Sequence, residues 1–344
     1  MKYITLGKTN IEISEVGFGC IPIIRLSSQD AANVLRYAFE RGINFYDTAN
    51  LYRDSEEKIG KAFKGYRDKV VLATKTFKRD AVGTAKHIEN SLRMLQTDYI
   101  DLFQFHQVSK EEEWEVITGP GGAMETVMKA KEEGKIRHVG ITSHSYSMSL
   151  KLIKTNLFES LMFPFSFIED SAVGEMLTLI REHEMTFLAM KPFGGGVIDD
   201  AQLAFKFLRQ YQGAIPVPGF DAVEQIDQIL KIYEKPNTVT REDIALMEKF
   251  KQELGSKFCR RCEYCQPCPS GVSITSAMTY PVVSKRMSPS VAVDFSKSVM
   301  NSVVNCTECG VCIKKCPYEL PIPEILQENY KMYNEHRNTL GREI

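Results

Sequence analysis

The chain reads as an α/β protein built on a (β/α)8 barrel. Eight short, nearly continuous apolar runs, each followed by a stretch with helical spacing, fill residues 1–235. Strands buried on both faces look like this, and eight such units make one barrel. A doubly wound open sheet alternates in the same way but usually carries a glycine-rich phosphate turn after its first strand. Val16–Cys20 (VGFGC) is not that fingerprint. Beyond Pro236 the rhythm breaks. A helical stretch over 236–255 reads as a linker, and 256–344, with eight of the nine cysteines, reads as a second domain.

The elements follow in order. Residues 1–14 alternate apolar and polar around Gly7-Lys8-Thr9-Asn10, a small hairpin. VGFGC is the first barrel strand, and Ser28 is placed to cap a helix that Gly42 stops. Ile43–Tyr46 is the second strand, with a helix from Ser55 to Phe63 behind it. Lys69–Thr74 is the third, then a helix carrying Ile88, Leu92 and Leu95. Tyr99–Phe105 is the fourth, followed by a long loop, Gln107–Gly122, and a helix near Ala123–Glu133. Arg137–Thr142, Leu161–Phe165, Thr186–Met190 and Ala214–Val217 complete the eight, with a helix over Ala222–Tyr233. In the last third, Thr240 is placed to cap a helix through Leu254. Ser290–Val304 reads as another helix, and Glu324–Arg337 as a polar helix covering a surface.

Of the 344 residues, 43% are hydrophobic and 25% charged, ordinary values for a globular protein. A net charge of −1 gives no global reason to expect nucleic acid or an anionic membrane surface. The N-terminus has no signal-peptide apolar core, and no apolar run approaches about 18 residues. The expectation is a cytoplasmic protein with no membrane and no nucleic-acid partner.

The barrel reading places chemistry at strand ends. The second strand ends at Asp47, the third at Lys75 and the fourth at His106, while Tyr52 lies on the loop after the second. Barrel enzymes present their working side chains at this rim. A tyrosine, with a reference pKa of ~10, is a poor acid at neutral pH unless tuned. A neighbouring lysine ammonium favours the phenolate, and Asp47 would hold that lysine charged and in place. Histidine can hydrogen-bond a substrate oxygen. Each residue alone has a plainer reading: turn residue, solvated strand end, core histidine. Four of them at successive strand ends point to proton transfer onto a carbonyl oxygen as hydride arrives.

GINFYDTANLYRDSEEKIGKAF (from Gly42) and LRMLQTDYIDLFQFH (ending at His106) resemble the two signatures of the aldo-keto reductases. The resemblance covers about residues 1–235. It implies a (β/α)8 (TIM) barrel that reduces an aldehyde or ketone with NAD(P)H, or runs the reverse. It also implies Asp47, Tyr52, Lys75 and His106 as the catalytic tetrad, with Tyr52 as general acid.

The nicotinamide contacts of the family depart here. Its Ser-Asn pair after strand five falls on Thr142 and Ser143, and Met162 stands where a glutamine is usual. Met190 replaces the stacking aromatic, followed by Lys191. The glycine run Gly194–Gly196 can let backbone approach a phosphate, with a plain loop as the alternative; Gly194, Gly195 and Gly219 are expected among the cofactor-binding residues. From Val217 to Gln228 there is no Lys or Arg, so the usual partners of an adenosine 2′-phosphate are missing.

Cys259, Cys262, Cys265 and Cys268 form one run, and Cys306, Cys309, Cys312 and Cys316 another; each run ends in proline. In a reducing compartment, clustered thiols point to metal rather than disulfides. The second run has the bacterial ferredoxin spacing. Zinc, held by two C-x2-C pairs, is the alternative. Cys20 reads as core packing. By resemblance to two-cluster ferredoxins, one [4Fe-4S] cluster takes Cys259, Cys262, Cys265 and Cys316. The other takes Cys306, Cys309, Cys312 and Cys268, although the first run is one residue short before Cys268.

The combination resembles aldo-keto reductases with a C-terminal, mainly helical, ferredoxin-like iron–sulfur domain. Clusters move single electrons and nicotinamide moves hydride, so direct traffic calls for a transformer such as a flavin. No flavin fingerprint is recognisable. Three readings follow. The first is a carbonyl reductase with auxiliary or relaying clusters. The second is an oxidoreductase fed by a ferredoxin-type carrier without NAD(P)H. The third is a non-catalytic iron–sulfur sensor or docking module.

Overall fold

The computed structural model describes residues 1–255, 257–259, 261, 265–316 and 319–340. The chain divides into two compact units: Met1–Gly194 with Ile198–Val239, and Gly195–Val197 with the residues from Thr240 onward. No helix among the described residues is long and apolar enough to cross a membrane.

The first unit opens with an antiparallel hairpin, β1 (Tyr3–Thr5) and β2 (Glu12–Ser14). Eight parallel strands follow: β3 (Phe18–Gly19), β4 (Phe45–Asp47), β5 (Val71–Thr76), β6 (Ile100–Phe105), β7 (Ile136–Thr142), β8 (Ser160–Pro164), β9 (Thr186–Met190) and β10 (Ala214–Val217). They pair in chain order from β3 to β10. The ring closes between its first and last strands, where Gly17 N–H donates to the Pro216 carbonyl (2.9 Å) and Gly19 N–H to that of Pro218 (2.7 Å). Glycine makes this seam: Gly19 bridges Gly219, and a Cβ on Gly219 would stand 2.5 Å from Pro22 Cγ. The result is the predicted (β/α)8 barrel.

Helices α1 (Ser28–Glu40), α2 (Ser55–Ala62), α3 (Ala81–Leu95), α4 (Glu111–Thr118), α5 (Ala123–Glu132), α6 (Tyr146–Lys154), α7 (Glu175–Glu182), α8 (Ala201–Leu208) and α9 (Val223–Tyr233) return the chain between strands and follow the last. The cap of α1 is Ser27, not Ser28: its hydroxyl accepts from Asp30 N–H at 3.1 Å. β5 runs two residues further than expected, so Lys75 sits inside a strand rather than past its end. The stretch expected as the loop 107–122 contains α4. Its first turn carries Glu111, Glu112 and Glu113, favourable at a helix N-terminus, and Glu113 accepts from Ser109 N–H (3.0 Å). Trp114 is buried against Phe158, with ring centroids 5.9 Å apart, and belongs to the core.

The hairpin stops the N-terminal end of the barrel. Leu6 and Ile13 pack with Phe45, Val71, Leu102 and Leu188 in one cluster, and Gly7 N–H donates to Thr186 Oγ1 at 2.6 Å. The opposite, C-terminal rim is where β4, β5 and β6 deliver the predicted side chains.

In the second unit, α10 (Arg241–Gly255) begins where Thr240 Oγ1 accepts from Asp243 N–H (3.2 Å). α11 (Ile274–Met278), α12 (Tyr280–Arg286), α13 (Pro289–Ser302), α14 (Val311–Lys315) and α15 (Ile322–Leu340) complete the helices. α15 is more than a polar cover: Ile322, Ile325, Leu326 and Tyr333 share one face and lie in the core with Ala277, Met300 and Val303.

Asp101, at the start of β6, anchors the bottom of the barrel. It accepts from Arg67 Nη2 (2.6 Å), Arg137 Nη1 (3.0 Å) and Leu72 N–H (2.9 Å). The two guanidinium groups lie 3.9 and 3.6 Å from the Tyr99 ring centroid. Asp101→Ala leaves the Leu72 N–H without its acceptor and removes the carboxylate from two guanidinium groups, of which Arg67 keeps Thr97 Oγ1 and the Val70 and Tyr99 carbonyls. Urea unfolding should show a loss of about 1–3 kcal/mol; a loss below ~0.5 kcal/mol would show that this bracket is not structural.

Candidate active site

Lys75 is 2% exposed and Asp47 5%, and they meet directly. Lys75 Nζ donates to Asp47 Oδ2 at 2.5 Å and to the Thr48 carbonyl at 2.7 Å. It lies 5.3 Å from the centroid of the Tyr52 ring. Tyr52 is carried by the turn between β4 and α2, where its N–H donates to the Ala49 carbonyl and its own carbonyl accepts from Ser55 N–H, both 2.9 Å. His106, one residue past β6, stands edge-on to Tyr52, with centroids 5.9 Å apart and planes at 83°. On another side it meets Phe77 at 5.4 Å. All four predicted catalytic residues therefore lie at one rim, with Lys75 and His106 both beside Tyr52.

Two further residues touch them or their backbone. Gln104 is fully buried and donates through Nε2 to Asp47 Oδ1 at 2.8 Å. Arg79 Nη2 holds the carbonyls of His106 (2.8 Å) and Gln107 (3.2 Å) and reaches Glu113 Oε1 at 3.2 Å. Sequence reasoning passed over both. Gln104 had a signal: it lies two residues before His106, hence on the same face of the strand.

The electrostatics follow from burial and charge. Burial pushes the Asp47 carboxyl up, against the Lys75 charge and the hydrogen bonds from Lys75 and Gln104. Burial works against the Lys75 ammonium, but the Asp47 charge, the neighbouring Tyr52 and the hydrogen bond to Asp47 together outweigh it, so Lys75 is held above its ordinary range and stays charged. Burial, then the charges of Lys75 and Arg79, lowers His106 to about 3, leaving it neutral at physiological pH. The residue keeps some exposed surface, but its Nδ1 is sealed and has no hydrogen-bond partner, so Nε2 is the nitrogen left to meet a ligand.

The six residues expected at a nucleotide are more dispersed in role. Thr142 ends β7, and its Oγ1 accepts from Gln107 N–H at 2.7 Å. Ser143 Oγ accepts from Ser145 N–H at 3.1 Å. Both side chains are buried and already serve rim turns. Lys191 follows β9 with φ +57°, and its Nζ is 2.7 Å from His144 Nε2. Gly194 and Gly195 also have positive φ, +55° and +78°. Gly219 lies at the barrel seam. Two residues on, Asp221 pairs with Arg25 at 2.9 Å, so the residue in that loop with an ion pair is a carboxylate. Met162 is buried in the barrel core.

In the second unit, Cys265, Cys268, Cys306, Cys309 and Cys312 line one cavity. Cys259 and Cys316 pack against the same core; Cys262 lies outside the described residues. Among the described residues, no three ligand side chains meet where a single ion would sit. Five cysteines share the lining of that cavity with Val272, Ile274 and Leu326, and an iron–sulfur cluster takes one thiolate at each metal corner.

The sequence matches the aldo/keto reductase family over residues 15–203 and the 4Fe-4S dicluster domain over residues 258–320. The second match supports iron–sulfur clusters in place of zinc. The chain is similar to the uncharacterized oxidoreductase YqkF of Bacillus subtilis, 32% identical over 212 residues, covering 58% of this chain and 67% of that protein. It is 28% identical over 260 residues to the aldo-keto reductase YhdN of the same organism, covering 67% and 76%. Among solved structures, the aldo-keto reductase AKR11C1 from Bacillus halodurans has a TM-score of 0.63 and 26% identity, covering 73% of this chain and 96% of that one. An aldo-keto reductase from Klebsiella pneumoniae in complex with NADPH shares the fold, with a TM-score of 0.62, 22% identity, and coverage of 73% and 95%. With more than half of its length matched, and a 4Fe-4S dicluster domain following in the sequence, the chain is an oxidoreductase of the aldo/keto reductase family.

Proposed function

We propose that the barrel site reduces a small aldehyde or ketone to the alcohol, or catalyses the reverse, with Tyr52 as the proton donor. The observation that carries this reading is the buried Lys75 ammonium, fixed by Asp47 and the Thr48 carbonyl, 5.3 Å from the Tyr52 ring. A cation there stabilises the phenolate left behind when Tyr52 gives its proton to the carbonyl oxygen. Neutral His106 donates through Nε2–H to the same oxygen and orients it. A nicotinamide, when bound, supplies the hydride. Thr142, Ser143, Lys191, Gly194, Gly195 and Gly219 are the candidates to hold it.

In the second domain we assign two [4Fe-4S] clusters. Cys268 lines the same cavity as Cys306, Cys309 and Cys312, which supports that set as one ligand group. Cys259, Cys262, Cys265 and Cys316 then form the other, although Cys265 borders the cavity too. The clusters serve as auxiliary or relaying centres, and a flavin would be the coupler if hydride electrons reach them.

A second reading rests on the loop after β10. Its Asp221 is paired with Arg25, and no cation stands from Val217 to Gln228, which disfavours a 2′-phosphate. If no nucleotide binds, a ferredoxin-type carrier feeds the clusters.

Two measurements test these assignments. Tyr52→Phe should lower turnover of a confirmed carbonyl substrate by roughly 10²–10⁴ with the fold unchanged; unchanged turnover contradicts the role of Tyr52. Anaerobic titration of the iron-replete protein with NADH and NADPH, read by absorbance and EPR, should show binding of at least one nucleotide without cluster bleaching. Bleaching would reveal a hidden coupler, and no binding would move the carrier-fed reading to first place.

A further inference from the structure

The tetrad reading leaves one buried polar group beside it without a role. Gln104 lies on β6 directly opposite Lys75 of β5 in the parallel register, so both side chains point into the barrel at one level. Its other neighbour in register is Gly140 of β7. The glycine makes the room: a Cβ at 140 would stand 3.1 Å from Gln104 Cγ and 2.4 Å from Ser160 Oγ. A carboxamide is costly in such a place unless its groups are paired. Only half of it is. Nε2 donates to Asp47 Oδ1 at 2.8 Å, while Oε1 is sealed from solvent and has no hydrogen-bond partner. Apolar residues of similar volume would avoid this cost, so the amide is kept for what Nε2 touches.

We propose that Gln104 is a positioning residue of this site: its carboxamide holds the second oxygen of Asp47 and so fixes that carboxylate against Lys75. The two Asp47 oxygens are divided cleanly, Oδ2 to Lys75 Nζ and Oδ1 to Gln104 Nε2. Charge also fixes which way the amide points. Turned over, it would set Oε1 against a carboxylate oxygen, acceptor against acceptor. Without the Gln104 donor, Asp47 loses a hydrogen bond to its charged form and becomes easier to protonate, since burial already pushes it that way. A protonated Asp47 no longer holds Lys75 charged, and Tyr52 loses the cation beside it. The other ionisable groups around the pair are Tyr52 on its turn, Cys20 after β3, whose thiol burial pushes well up, His106 after β6, which burial and then the Lys75 charge lower, and Glu56 of α2, which accepts from Thr74 Oγ1 at 2.6 Å. None of them supplies Asp47 with a donor in place of Gln104.

This inference rests on the tetrad reading for its effect on rate, but its structural part can be read without turnover. Protein labelled with 13C at aspartate carboxyls, with Asp47 assigned by Asp47→Asn, reports the Asp47 titration directly. Gln104→Leu should raise its midpoint. Gln104→Met, which keeps the side-chain length but has no donor, should raise it as well. In turnover of 4-nitrobenzaldehyde, Gln104→Leu should lower kcat by about 10- to 100-fold at nearly constant KM, with the acid limb of the rate profile moved to higher pH. An Asp47 midpoint and acid limb unchanged from the parent protein overturn the proposal. If the leucine variant does not fold, the methionine variant carries the same test, and an unmoved Asp47 midpoint overturns it there. Tyr52→Phe that retains turnover overturns the proposed reaction but leaves the Asp47 titration readable, so the two failures are distinct.

Discussion

A buried ammonium is the constraint on which the barrel site depends. Removing a lysine charge from water costs several kcal/mol, and only close, well-directed partners offset that cost. Lys75 finds two, a carboxylate at the end of β4 and the carbonyl of Thr48 just beyond it. Both are in reach only if β4 and β5 hold their parallel register, Asp47 opposite Ala73. Asp47 in turn needs β6, which brings Gln104 opposite Lys75. Three neighbouring strands are thus locked by the same charge that adjoins Tyr52. Fold and chemistry meet in one interaction.

The two ends of the barrel divide the work. At the N-terminal end, the hairpin and the Arg67–Asp101–Arg137 bracket close the core with packing and ion pairs. At the C-terminal end, the same strands finish in polar residues, and the rim turns are held by hydrogen bonds rather than by packing: Arg79 to the carbonyls of His106 and Gln107, Thr142 to Gln107 N–H. Gln107 itself has φ +55°. A residue in that region persists only where its surroundings fix it, and here two side chains do so beside His106.

Much of this was legible in the sequence, for identifiable reasons. Asp47, Lys75 and His106 stood out because each ends an apolar run, and strand ends of a barrel share a rim. The cysteine runs stood out because cluster ligation depends on short spacing within the chain. Gln104 did not, because its role appears only once β6 is set beside β5 and β4. Helix α4 was hidden by the three glutamates of its first turn, which look like loop in composition and act as helix-start charges in place. The polar look of α15 concealed a buried stripe at Ile325, Leu326 and Tyr333. The proposed nucleotide contacts were least legible, since the candidates are backbone turns and hydroxyls such as those of Thr142 and Ser143, which the structure commits to local hydrogen bonds.

The ionisation of Tyr52 itself tests the central claim most directly. Protein labelled with 13C at tyrosine Cζ, with Tyr52 assigned by Tyr52→Phe, would be titrated alongside Lys75→Met. The account predicts that Tyr52 ionises below the ordinary tyrosine value of ~10 and moves back up when Lys75 is removed. A Tyr52 that titrates at or above that value, and ignores the loss of Lys75, would contradict it.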